Sequence, residues 1–326
     1  MIFSKFEIHM FFTLFINSHI NVIVIEKKID GKKMQATPIL KWAGGKSQLK
    51  SIIESRIPSK FQNKPFNYVE PFIGGGAIFF WLKSNYNIKN AIVNDINPNL
   101  INCYQVVQKD VESLIDCLNS LQDKYRTLLS DADKKKEFYY SMREAFNSNS
   151  GNSIEKAAQL IFLNRTCFNG LYRVNRSGKF NVPIGSYKNP KICDADNLRL
   201  AAKAFEDTVI TNRDYADALQ FANPETLFYL DPPYKPLNAT SSFNSYSKGS
   251  FDDKEQIRLS EFCHDLTKKK CCWILSNSDV NTEENPDKFF DELYEGFDIR
   301  RVKASRLINS ISSKRGQLNE LLISSS

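Results

Sequence analysis

Short, nearly continuous apolar runs alternate along the chain with longer amphipathic stretches, the pattern of an α/β protein whose parallel strands are covered on both faces. Residues 68–70, 91–93, 208–211, 226–230 and 271–275 read as strands, with further strands expected at 297–303 and 318–323. Residues 77–83 read as a helix, and 100–165 as a mostly helical, polar stretch. Within it Leu114, Ile115, Leu118 and Leu121 recur at helical spacing as core positions, and the charged run 131–137 reads as a solvated face. Residues 216–221 are amphipathic. Asp252 with Glu255 three positions on makes a capping-box-like start for a helix running to about Lys270. The Ser- and Asn-rich segment 236–251 is too long for a plain turn and reads as a lid-like loop.

The first 33 residues differ from the rest. Phe and Ile dominate up to Ile25, but Glu7, His9, Asn17, His19 and Asn21 break the run, so it makes neither a clean membrane span nor the apolar core of a signal peptide. The expectation is a dispensable extension, with Met34 as a natural start.

Composition adds bounds. With 326 residues, 42% hydrophobic and 25% charged, the chain has the size and balance of a globular enzyme, with no fibrous or disordered bias. A formal charge of +7 admits a polyanionic partner without identifying one. Seven cysteines, no C-x-x-C pair and three histidines argue against a zinc site and for reduced thiols in the cytoplasm.

The chemistry concentrates where apolar runs end. Residues 226–230 lead into Asp231-Pro232-Pro233-Tyr234. At the carboxyl end of a parallel strand, a carboxylate and a carbonyl fixed by two prolines offer two acceptors to an exocyclic amino group. Tyr234 adds a face on which a base can stack. A second run ends in Glu70-Pro71-Phe72-Ile73-Gly74-Gly75-Gly76, followed by a helix, a strand and Asp95, which lies 21 positions after Gly74. That order fits a nucleotide-binding βαβ unit whose acidic residue accepts ribose hydroxyls; a plain tight turn is the lesser alternative, weakened further once the second strand and Asp95 are counted. Lys41-Trp42-Ala43-Gly44-Gly45-Lys46 puts an aromatic, two glycines and a lysine in one loop, from which Lys46 can reach a carboxylate. Residues 164–185 interleave Arg165, Phe168, Asn169, Leu171, Arg173, Asn175, Arg176, Lys179 and Pro183 around a Ser177-Gly178 turn. Arginine bonds guanine, asparagine bonds adenine and apolar groups touch the thymine methyl; a basic surface hairpin touching nothing has the same composition. The basic residues Arg306, Lys314 and Arg315 suit either phosphates or solvent.

Together these segments resemble the DNA adenine-N6 methyltransferases of the Dam/DpnII type, the D12 class or alpha group with a D-P-P-Y motif. The matching pieces are K-W-A-G-G-K at 41–46, E-P-F-I-G-G-G at 70–76, Asn94-Asp95, F-N-G-L-Y-R-V-N at 168–175, F-N-V-P at 180–183, D-P-P-Y at 231–234 and Lys314-Arg315-Gly316. They span residues 38–323. D-P-P-Y alone is shared with amino-methyltransferases acting on RNA or protein glutamine, whereas the F-N-G-L-Y-R and F-N-V-P pair is far narrower.

The resemblance implies a Rossmann-like, S-adenosyl-L-methionine-dependent α/β sheet formed by residues 34–99 and 193–326. Into it is inserted a mostly helical target-recognition domain, residues 100–192, bearing a β-hairpin. It implies a site-specific, adenine-specific DNA methyltransferase acting on double-stranded DNA, at GATC, by base flipping. No metal, no membrane and no covalent nucleophile are expected. A cognate restriction endonuclease encoded nearby, without a stable complex, is compatible with it. Trp42, Lys46, Phe72, Gly74, Gly76, Asp95 and Asp231 match cofactor contacts, and Asp231, Pro232, Pro233 and Tyr234 match the catalytic loop. In the recognition hairpin Leu171, Arg173 and Pro183 match base-reading positions, with Asn169 and Asn175 beside them and Phe168 next to the flipped base. An RNA adenine or protein glutamine methyltransferase is the nearest chemical rival. A non-catalytic DNA-binding module leaves the cofactor motifs idle, and a nicotinamide oxidoreductase leaves D-P-P-Y unexplained.

Overall fold

The computed structural model describes residues 35–42, 44, 46, 49–235, 251–281, 286–305 and 317–325, and the backbone at 28–29 and 32–33, which pair as two short antiparallel strands. The chain divides into two compact units, residues 1–35 and 36–326. All of the lid-like segment but Phe251, the residues Met34, Arg306, Lys314, Arg315 and Gly316, and most of the N-terminal extension lie outside the described residues.

The larger unit is built on a seven-stranded sheet. In chain order its strands are β1 (Phe66–Glu70), β2 (Ile88–Asn94), β3 (Thr208–Thr211), β4 (Thr226–Leu230), β5 (Cys272–Ser278), β6 (Asp298–Ser305) and β7 (Gln317–Ser324). The spatial order is β3-β2-β1-β4-β5-β7-β6. β1 to β5 run parallel, and β7 is antiparallel to both β5 and β6. The fold is therefore a Rossmann-like α/β sheet: the apolar runs pointed to its strands and the family resemblance to its Rossmann-like form. From β1 the chain winds outward through β2 to β3 and then returns to β4. The winding reverses between β1 and β4, and the carboxyl ends of those two strands open the crevice where ligands bind in such sheets.

Strand alternation explains the layers. Tyr68, Leu227, Tyr229 and Ile274 point into one apolar cluster, while Val69, Phe228, Leu230, Trp273 and Leu275 point into another on the opposite face. β4 is buried along its whole length, as a central parallel strand must be. The first cluster is shared with helices α1 (Lys50–Glu54), α2 (Ala77–Asn85), α3 (Pro98–Lys109), α4 (Val111–Thr127), α5 (Ala132–Asn147) and α6 (Ser153–Thr166). Leu114, Ile115 and Leu118 are buried in it, and most of the charged run at 131–137 faces solvent. The same cluster takes in Tyr172, Val174, Phe180 and Val182, the apolar underside of the segment expected to be a hairpin. That segment's two arms are joined by isolated antiparallel bridges, Cys167 with Ile184 and Val174 with Phe180.

Candidate active site

β4 delivers Asp231 into the crevice, and groups from four other parts of the chain hold the loop that follows. Lys46 Nζ lies 3.0 Å from Asp231 Oδ1, donates to the Gly44 carbonyl at 2.7 Å and sits 4.6 Å above the Tyr234 ring centre. The lysine is 3% exposed, so its charge is directed inward. Burial pushes the Asp231 carboxyl above the usual carboxylate range and the Lys46 ammonium opposes the shift. Behind the loop Gln256 of helix α8 (Asp253–Lys268) donates to the Pro233 carbonyl at 3.1 Å, and Asn277 donates to Gln256 at 3.0 Å. Ser278 donates to the Lys235 carbonyl at 2.6 Å. The Pro232 carbonyl has no donor among the described residues. The Tyr234 hydroxyl donates to Glu320 Oε2 at 3.0 Å, tying the loop to β7.

Across the crevice β1 ends in the glycine turn, which leads into helix α2 (Ala77–Asn85). Gly74 and Gly76 have φ of +47° and +72°, and a Cβ on Gly74 would come within 3.0 Å of the Trp42 indole, so this turn needs glycine for both backbone and space. Asp95, just past β2, closes the turn: its two oxygens accept from Gly74 N at 3.0 Å and Asn97 N at 2.9 Å. Burial raises its pKa to about 6 against those two hydrogen bonds. Phe72 packs against Tyr215 at 5.1 Å between ring centres. Ile96, beside Asp95, leaves 60% of its surface exposed. At the base of the crevice, Glu70 accepts from the Tyr68 hydroxyl at 2.7 Å, and burial drives its pKa well up.

The recognition segment meets this site at its root. Buried Asn164, at the end of α6, accepts from Lys41 N at 2.8 Å and donates to the Lys41 and Gly170 carbonyls, both at 2.9 Å. Trp42 stacks on Tyr172 at 5.1 Å, and Arg165 donates to the Ile39 carbonyl at 2.6 Å. Further out Phe168 is 46% exposed, Asn169 holds a left-handed φ of +55°, and Phe168 N donates to the Pro183 carbonyl at 2.9 Å. Leu171 is half-buried and Pro183 exposed. Arg173 Nε donates to Asn181 Oδ1 at 2.8 Å, and Asn175 Oδ1 accepts from Ser177 N and Lys179 N, both at 3.0 Å. Of the expected residues, Lys46, Asp231 and Tyr234 lie in contact, as do Trp42, Gly74 and Asp95, whereas among the described residues the hydrogen bonds of Arg173 and Asn175 stay within the hairpin. Asn164, Gln256, Asn277 and Glu320 were not singled out as site residues from the sequence. Their partners are distant in the chain, and a polar residue inside an apolar run was the available signal only for Glu320.

Among the described residues no group of His, Cys, Asp or Glu is arranged to hold a metal ion, and no helix is long and apolar enough to cross a membrane. Residues 42–308 match the family model of the D12 class N6 adenine-specific DNA methyltransferases. The chain is 47% identical to the type II methyltransferase M.MjaIII of Methanocaldococcus jannaschii over 89% of its own length and 99% of that protein. It is 35% identical to the type II methyltransferase M1.LlaDCHI of Lactococcus lactis subsp. cremoris, covering 89% and 96% of the two chains. With the DNA adenine methylase of Haemophilus influenzae it shares 34% identity over 89% and 94%.

Proposed function

The chain belongs to the D12 class of N6-adenine-specific DNA methyltransferases, and from that premise we propose that it methylates the adenine of GATC in duplex DNA with S-adenosyl-L-methionine. The observation that carries this reading is the placement of Asp231, half-buried against Lys46 and followed by a carbonyl without a donor among the described residues, on the strand across the switch point from the Gly74 turn and Asp95.

The residues fit a cationic adenosine cofactor. Asp95, Asp231 and Glu320 supply carboxylates on this side of the sheet, which favours a positively charged ligand. Asp95 retains lone pairs for ribose hydroxyls, exposed Ile96 offers an apolar face to the adenine ring, and Trp42, Lys46, Phe72, Gly74 and Gly76 shape the pocket. The cofactor, when bound, supplies an electrophilic methyl group on a sulfonium, so the protein's task is orientation. Adenine N6 cannot be reached inside the stack, so the base is flipped out, at about a few kcal/mol of unstacking. Asp231 and the Pro232 carbonyl accept its two N–H bonds, which favours the pyramidal nitrogen that attacks, and Tyr234 stacks on the ring.

Residues 34–99 and 193–326 form the catalytic part and 100–192 the recognition part of this proposal. Arg173 reads guanine, Leu171 and Pro183 contact base edges, Asn169 and Asn175 assist, and Phe168 fills space beside the flipped base. The seven cysteines, free in the structure, suit a cytoplasmic protein. A restriction endonuclease sharing the site and encoded nearby, without a stable complex, is part of the reading. So is dispensability of residues 1–33, tested by a chain starting at Met34, whose loss of activity would refute it.

The central test is transfer of labelled methyl from S-adenosyl-L-methionine to two duplexes that differ only in an intact or scrambled GATC. Label confined to the intact site is expected. Label on both duplexes would sink the specificity, and label on neither would sink the reaction.

A further inference from the structure

The backbone of the loop after β4 is held from behind by Gln256, Asn277 and Ser278, but none of these touches the ring of Tyr234 in a hydrogen bond. The phenol is fixed at its far end by the carboxylate of Glu320, which sits on β7 opposite Ser278 of β5. Lys46 covers the ring from one side and contacts Asp231. Tyr234 and Asp231 thus form a chain of contacts from Glu320 through the phenol to the lysine and the catalytic carboxylate.

We propose that Glu320 is a positioning residue of the methyl-transfer reaction, which sets the plane of the Tyr234 ring on which the target base stacks and adds negative charge beside Asp231. This rests on the reading of Asp231 and Tyr234 given above. A tyrosine at the end of a loop rotates about two side-chain bonds, and a charge-assisted hydrogen bond to a strand residue removes that freedom before substrate arrives. The groups facing Asp231 are Lys46, Tyr234 and Glu320, with Glu70, Tyr68 and Tyr229 behind it. Lys46 favours the ionised carboxylate, whereas Glu320 disfavours it.

Glu320→Gln keeps an acceptor for the phenol and removes the charge; Glu320→Leu removes both. With wild-type enzyme and cognate duplex, kcat for E320L is expected to fall about tenfold with KM for S-adenosyl-L-methionine nearly unchanged, while E320Q keeps most of kcat. The acid limb of the pH–kcat profile should move to lower pH in E320Q, because a negative neighbour of Asp231 is gone. Wild-type kcat in E320L, a loss in E320Q as deep as in E320L, or an acid limb unmoved in E320Q would each overturn the assignment. If E320L does not fold, the E320Q profile still decides. Failure of the wild type to methylate DNA would instead overturn the reading on which this inference rests.

Discussion

The loop after β4 and the hairpin of residues 167–185 are both polar, and they are held in opposite ways. Asp231, Pro233, Tyr234 and Lys235 take partners from the 41–46 loop, α8, β5 and β7, so the loop is held by contacts that cross to other elements. Arg173 and Asn175 take theirs from the hairpin itself. The hairpin is anchored elsewhere at its root, through Asn164 on the Gly170 carbonyl, and along its underside, through Asn147 with Phe180 and the Tyr139 hydroxyl on the Val182 carbonyl. A reacting centre needs groups fixed before substrate arrives, at the cost of burying them. A reading surface needs exposed donors whose local partners can be exchanged for base edges.

Substitution at Asp231 tests the first half of that contrast and carries the largest expected effect. Asp231→Ala should lower kcat by at least about 10³-fold while DNA binding, measured by mobility shift, stays largely intact. Retained turnover would remove Asp231 from the chemistry. Arg173→Ala tests the second half: discrimination between GATC and a site altered at the guanine should fall by about 1–3 kcal/mol, roughly tenfold to a hundredfold, with kcat at saturating DNA little changed. Equal losses on both sequences would make Arg173 a general DNA contact.

The two regions also differ in how they were legible. The strand runs, the glycine turn with Asp95 and the D-P-P-Y loop follow from local sequence, because each is a short apolar run ending in residues with special backbone or acceptor properties. The sheet extends further than its apolar runs suggest. β5 continues through Ser276, Asn277 and Ser278, which are fully or almost fully buried although polar, because Tyr229, Gln256 and Lys235 satisfy them. Helix α7 (Ala195–Phe205) was not anticipated, although Leu198, Ala201 and Phe205 recur on one buried face. Glu320 and Asn164 were opaque as site residues for a physical reason: they act on Tyr234 and Lys41, 86 and 123 positions away, and no local pattern encodes such a partner.

Asn164 is also where the contrast is expected to break down, since it holds both the cofactor loop and the root of the hairpin. Asn164→Ala leaves Lys41 N and the Lys41 and Gly170 carbonyls without that partner. A stability loss of about 1–3 kcal/mol in denaturant titration is expected, with weaker binding of both S-adenosyl-L-methionine and DNA. Cofactor affinity equal to wild type would show that the two regions work independently.

The smallest expected effect comes from protonation of Asp95, and its value lies in having opposite signs for folding and for binding. Burial raises this carboxyl to about 6, above the ordinary carboxylate value. The folded chain therefore binds this proton more tightly than the unfolded chain does. The associated stability is fully present below about pH 4 and is lost as pH rises through about 6. Cofactor binding runs the other way, because the proposed ribose contacts favour the ionised acceptor, so affinity should fall about fivefold between pH 6 and pH 5. Asp231 and Glu70 are also raised by burial, and paired carboxylates such as Asp214 are lowered, so the raw profiles mix several groups. Comparison with Asp95→Asn isolates one of them. The wild-type minus variant difference in stability should decline with rising pH, while the corresponding difference in calorimetric affinity for S-adenosyl-L-methionine grows in favour of wild type. If the two differences move together, Asp95 serves to close the Gly74 turn and does not receive the ribose.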